Sequence, residues 1–211
     1  MTSTVKDAPV TGDAGAPPHT LDPGGNGGGE PAPTFGADPA RFGLWLFLGT
    51  ITMLFVGFTS AYVVRRSSGG WLQIAPPALL WLNTAALLAS SFTVEQARRR
   101  LRAWDLPGAR LGLALTGGLG LLFVAGQLGA WRSLARNGVF LATSAHSSFF
   151  YLLTGLHVVH LLGGLVWFAV VLARLRRLTL TPGQDGLGLF ATYWHFLGAL
   201  WVYLFLLLFV F

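Results

Sequence analysis

The chain has 211 residues, of which 53% are hydrophobic and only 10% charged, a balance too apolar for an ordinary soluble domain and one that makes lipid its expected solvent. A formal net charge of +6 does not point to nucleic acid, because the arginines stand in short clusters between long uncharged stretches instead of along one face. The absence of cysteine excludes disulfides, thiolate metal sites and thiol nucleophiles.

Residues 1–40 are rich in Gly, Pro, Ala, Asp and Thr, with the run GGNGGGE at Gly24 to Glu30. A segment of this composition cannot bury enough apolar surface to fold, and it is expected to be a disordered tail. It lacks the basic start, apolar stretch and small-residue cleavage site of a signal peptide, so the first hydrophobic segment is expected to remain as an uncleaved span. Asp7, Asp13, Asp22, Glu30 and Asp38 all fall in this tail, leaving Glu95, Asp105 and Asp185 as the acids of the body.

A helix needs about 20 apolar residues to cross ~30 Å of hydrocarbon. Five segments reach that length, at about 42–64, 76–97, 110–131, 147–173 and 187–211. The expected fold is therefore an all-α membrane protein, a bundle of five transmembrane helices occupying residues 41–211. An odd number of spans puts the termini on opposite sides. On the side of the N-terminus lie Lys6 and nine arginines (Arg41, Arg98, Arg99, Arg100, Arg102, Arg110, Arg174, Arg176 and Arg177), against Arg65, Arg66, Arg132 and Arg136 on the other. Because Lys and Arg are retained in the cytoplasm, the N-terminus is expected to be cytoplasmic and the C-terminus external.

Small residues four apart in the third span (Ala114 with Gly118, Ala125 with Gly129, Gly126 with Ala130) would let helix backbones approach closely. Trp45, Tyr62, Trp81, Trp131, Tyr151 and Trp194 lie near span ends, where interfacial aromatic belts form.

Polar side chains inside spans are costly unless paired, so they usually face a bundle interior. They are few: Asn83 and Ser90 seven apart in the second span, Gln127 in the third, Thr154, His157 and His160 on one face of the fourth, and His195 in the fifth. Imidazole is the commonest transition-metal ligand, which raises haem or copper ligation by His157, His160 and His195. Depth argues against it. If Arg174 and Leu187 mark the cytoplasmic interface, a rise of about 1.5 Å per residue puts His157 and His160 roughly 21 to 26 Å deep and His195 roughly 12 Å deep. Axial ligands need matching heights on facing helices, so hydrogen-bonded structural histidines are the better reading. Glu95 precedes Arg98 and Arg99 at helical spacings and is expected to form a solvated ion pair, which leaves it a candidate for proton entry. His146 is expected at the wet external interface. His19 falls in the tail. There is no phosphate-binding loop, catalytic triad or clear internal repeat.

Several segments also resemble a known family. The fourth span, SSFFYLLTGLHVVHLLGGLVW from Ser147 to Trp167, carries a TG-x-H-x-x-H-x-x-x-G pattern, and the fifth, YWHFLGALWVYLF from Tyr193 to Phe205, a YWHF block. WLFLGTITMLF followed by Ala61 and Tyr62, LNTAALLASSFT from Leu82 to Thr93, and Phe123 with Gln127 and Trp131 add to these in the same order. Together they resemble subunit III of the haem-copper terminal oxidases, the cytochrome c and quinol oxidases of aerobic respiration.

That resemblance implies a non-catalytic subunit of a bacterial inner-membrane complex, binding no haem or copper itself while its partner subunits carry both. It implies direct contact with subunit I, association with subunit II, contact with membrane lipid including a structural phospholipid, and support of proton uptake or oxygen access. His157, His160, Tyr193, Trp194 and His195 would be signature residues serving helix packing and lipid or subunit contact. Gly155 and Gly164 would permit close approach of subunit I, and Asn83 and Gln127 would bond across helices. Many members have seven helices, whereas this chain resembles their last five. Many also carry a membrane-buried glutamate where this chain has Ile51. The alternatives are the related subunit of a nitric oxide reductase, a haem-binding membrane cytochrome using the histidines, and a small transporter, against which the lack of buried charge and repeat symmetry counts.

Overall fold

The computed structural model describes residues 38–67, 78–177 and 186–210. The tail up to residue 37, expected to be disordered, lies outside the described residues, as do 68–77 and 178–185. Five helices follow in order: α1 Pro39–Ser67, α2 Ala78–Arg102, α3 Leu106–Arg136, α4 Ala145–Arg176 and α5 Gly186–Phe209. Each is long and apolar enough to cross a membrane, and no strand occurs among the described residues. All five lie within Ala37–Phe211, which forms one compact unit.

The helices coincide with the expected spans and overrun some of them, α2 reaching Arg102 and α3 reaching Arg136. A helix does not stop where hydrocarbon does. Arginine is a good helix former and is favoured at the negative end of the helix dipole, so the basic clusters prolong these helices into the interface. Local chemistry sets the two described turns. Asp105 caps α3 by accepting from the Gly108 amide at 3.0 Å, directly after Trp104 takes a positive φ of 60°. Ser144 and Ser147 form a reciprocal capping box at the start of α4, satisfying amides that no helical carbonyl can reach.

Helices α2, α3, α4 and α5 close a ring in which each packs on its two neighbours, and α1 rests on α4 and α5. The tightest seam joins α2 to α3, where Gly112 lies against the Ala97 backbone and Gly126 against the Asn83 side chain. Either glycine with a Cβ would overlap its neighbour. The three small-residue pairs behave differently from one another: Ala130 is fully buried, Ala114 and Gly118 are exposed, and a Cβ at Gly118 would meet nothing. Close packing therefore uses one face of α3, and Ala114 and Gly118 are on the other.

Helix α5 is the axis of the core, burying Phe190, Trp194, Leu197, Trp201, Leu204 and Leu208 at helical spacing. Helix α1 buries only the stripe Leu44, Leu48, Ile51, Phe55 and Tyr62 and leaves Phe42, Trp45, Leu46, Met53 and Val56 exposed. The belt expectation fails for two of its residues: Trp45 and Trp81 are exposed, but Tyr62 and Trp194 are each 1% exposed. Both turn inward to partners available there, Tyr62 edge-on to Phe149 and Trp194 to the Phe190 ring and a buried hydroxyl.

Candidate functional site

Polar groups line the seams of the ring. Between α2 and α5, Trp194 Nε1 donates to Ser90 Oγ at 2.9 Å and Trp201 Nε1 donates to Thr84 Oγ1 at 3.0 Å. Each hydroxyl spends its own proton on a carbonyl of its helix, Ser90 on Leu87 at 2.6 Å and Thr84 on Leu80 at 2.9 Å. Its lone pairs are then free to accept from an indole, which can only donate. One turn beyond Ser90, Thr93 and Thr116 link α2 to α3 through their hydroxyls at 2.8 Å. Thr84, Thr93 and Thr116 were not singled out in the sequence, and Trp201 entered only as part of the fifth-span motif. The signal was the two-turn spacing of Trp194 and Trp201 opposite hydroxyl residues of the second span.

The α4 signature is resolved residue by residue. Tyr193 Oη donates to the backbone carbonyl of His160 at 2.9 Å, and it gets there because Gly164 leaves room: a Cβ at Gly164 would stand 3.0 Å from Tyr193 Cε1 and 3.4 Å from Trp194 Cζ3. Gly164 thus serves the α4–α5 seam inside this chain. Gly155 is less constrained, since a Cβ there would make only ordinary contact with Trp131, at 3.9 Å. Both glycines were expected to admit subunit I; the packing found for Gly164 is intramolecular.

His157 and His160 were expected to share a face, yet three residues of helix separate them by about 60°, enough to send them to different neighbours. His160 Nδ1 bonds to its own Leu156 carbonyl at 2.8 Å, and its ring lies 5.8 Å from Phe55 of α1. His157 points inward, its ring centroid 5.2 Å from Trp201 and 5.8 Å from Phe123. Standing against Trp201 places His157 six residues along α5 from His195, about 9 Å of helical rise. Thr154, one turn before His157, accepts from Trp131 Nε1 at 3.2 Å.

His146 corrects an expectation. Read as a wet interfacial histidine, it is 1% exposed, with Nε2 3.2 Å from the Leu208 carbonyl. That carbonyl belongs to the last turn of α5, where helical partners run out, so the imidazole supplies the missing donor. Glu95 pairs with Arg98 at 3.2 Å and with Arg99 at 3.4 Å. His195 is half-buried in the first half of α5. Ile51 is buried in the α1 stripe at 2% exposure.

These side chains are placed to hold helices together. Among the described residues, no group of three or more His, Asp or Glu is placed to hold a metal ion. The profile of the family described as cytochrome c oxidase subunit III matches residues 33–211. The chain belongs to that family. A probable cytochrome c oxidase subunit 3 of Mycobacterium bovis is 34% identical over 169 residues, covering 77% of this chain and 83% of the relative. The quinol oxidase subunit 3 of Bacillus subtilis is 32% identical over 168 residues, covering 77% and 82%. The cytochrome c oxidase subunit 3 of Synechocystis is 32% identical over 184 residues, covering 82% and 76%. This subunit III chain is thus a multi-pass membrane protein of the respiratory oxidase class, and its Tyr193–His160 and Trp194–Ser90 links join the segments on which the resemblance was read.

Proposed function

We propose that this chain is the non-catalytic subunit III of a bacterial respiratory haem-copper oxidase, set in the inner membrane with its N-terminus cytoplasmic. Its work is to stabilise subunit I, with which it makes direct contact beside subunit II, and to support proton uptake or oxygen access. Haem and copper belong to those partners. The observation that carries this reading is the family match across every helix. Two features of the bundle support it: several of its buried polar side chains bond from one helix to another, and α1 exposes a long apolar face to lipid or to a neighbouring subunit. His157, His160, Tyr193, Trp194, His195, Gly155, Gly164, Asn83 and Gln127 are proposed as packing residues that keep the contact surface in shape, with structural phospholipid at its edge. Glu95, with Arg98 and His195 nearby, is proposed as the protonatable group on the cytoplasmic side.

A quinol oxidase is the second reading, because relatives named for cytochrome c and for quinol oxidases match at similar identity. Purification of the tagged chain in mild detergent tests both. Co-purification of a haem-bearing subunit I is the expected result, and the electron donor oxidised by that complex separates the two. Recovery of the chain with no oxidase subunit would overturn the proposal.

A further inference from the structure

We infer that Gln127 and His157 together hold an ordered water molecule inside the bundle, at the seam between α3 and α4. Both side chains are completely buried, and four polar atoms, Gln127 Oε1 and Nε2 and His157 Nδ1 and Nε2, have no hydrogen-bond partner in the protein.

Their placement makes one site of them. On α3, Gln127 stands one turn after Phe123, whose ring meets that of His157 at 5.8 Å. It stands one turn before Trp131, whose Nε1 reaches Thr154 of α4 at 3.2 Å. Gln127 is therefore bracketed by two α3–α4 contacts and faces α4 between Thr154 and His157. The neighbouring polar groups are already committed. Thr154 Oγ1 donates to the Phe150 carbonyl at 2.6 Å and accepts from Trp131, while Trp201 Nε1, beside His157, is spent on Thr84.

An amide and a neutral imidazole supply both donors and acceptors. Water offers two of each and commonly makes about three bonds when buried, so it can accept from the Gln127 amide and exchange a bond with either ring nitrogen. Groups left unpaired in a low-dielectric interior would be strongly unfavourable. The collar of Phe123 and Trp201 keeps such a water apart from bulk solvent. Asn83 Nδ2 is also buried without a partner, and its side chain lies against Gly126 at the α2–α3 seam.

This inference is independent of the choice between oxidases. It is tested in the intact complex by a cryo-EM map sharp enough to show ordered waters. Density within hydrogen-bonding distance of both Gln127 and His157 is expected, and it should disappear in the Gln127→Leu complex. A direct bond between the two side chains, or no density between them, overturns the proposal. Thermal melting gives a second readout. Gln127→Leu and His157→Phe should each lower the melting temperature of this subunit, and the double variant should recover most of the loss because nothing polar is then stranded. Losses that simply add would count against a shared water.

Discussion

Trp194 and Ser90, 104 residues apart in the chain, are joined by an indole-to-hydroxyl hydrogen bond of 2.9 Å. It fixes the last helix against the second at a point where both side chains are buried. Removing it by Ser90→Ala should cost about 0.5–1.5 kcal/mol, with a value near the lower end in a membrane protein. Trp194→Phe should cost more, because the indole also fills the space over Gly120. A double-mutant cycle on detergent unfolding would show coupling between the two positions; strictly additive effects would mean the bond contributes nothing.

The two signature glycines of α4 should respond oppositely to the same change. Gly164→Ala pushes a methyl against Tyr193 and Trp194 and should destabilise the bundle by about 1–3 kcal/mol, the usual range for overpacking. Gly155→Ala meets open contact and should be neutral or stabilising by up to about 1 kcal/mol through helix propensity. Equal effects at the two sites would contradict the packing described.

His146 should guard the end of α5. His146→Leu removes the donor to the Leu208 carbonyl, so hydrogen exchange should quicken in the last turn of α5 and stay unchanged in its first half. His146→Gln, which retains a donor, should restore part of the protection. No change in exchange with Leu would mean that the contact does not hold the helix end.

The contrast between Trp194 and His146 shows how far the residues alone could be read. Run lengths and loop charges located all five helices, because the cost of an unpaired charge in hydrocarbon depends on depth alone. Depth also correctly separated His157 from His195. Rotation about each helix axis was legible only through the polar residues: Asn83, Ser90, Gln127, Thr154 and His157, read as facing the interior, are buried. Trp194 lies near the start of its span and was read as a belt residue, yet its azimuth takes it to Ser90. His146 lies near the start of α4 and was read as wet, but the far end of α5 covers it. Neither partner is within 60 residues in the chain. Residues near the span ends carry no comparable signal, so these facing pairs emerge only when the ring is assembled.

The orientation can be checked directly, because the chain has no cysteine of its own. Trp104, between α2 and α3, and Leu141, between α3 and α4, are both exposed. With a cytoplasmic N-terminus, a membrane-impermeant maleimide added to intact cells should label Leu141→Cys and spare Trp104→Cys. The reverse pattern would invert the proposed topology.

The central claim, that this chain is a helical flank of an oxidase with the redox centres in its partners, is tested most directly by comparing two visible spectra. One is of the complex purified through this subunit, and the other of the chain expressed without its partners. The account predicts a strong haem band for the complex and none for the chain alone. A stoichiometric Soret band in the isolated chain, abolished by His157→Ala or His195→Ala, would contradict it.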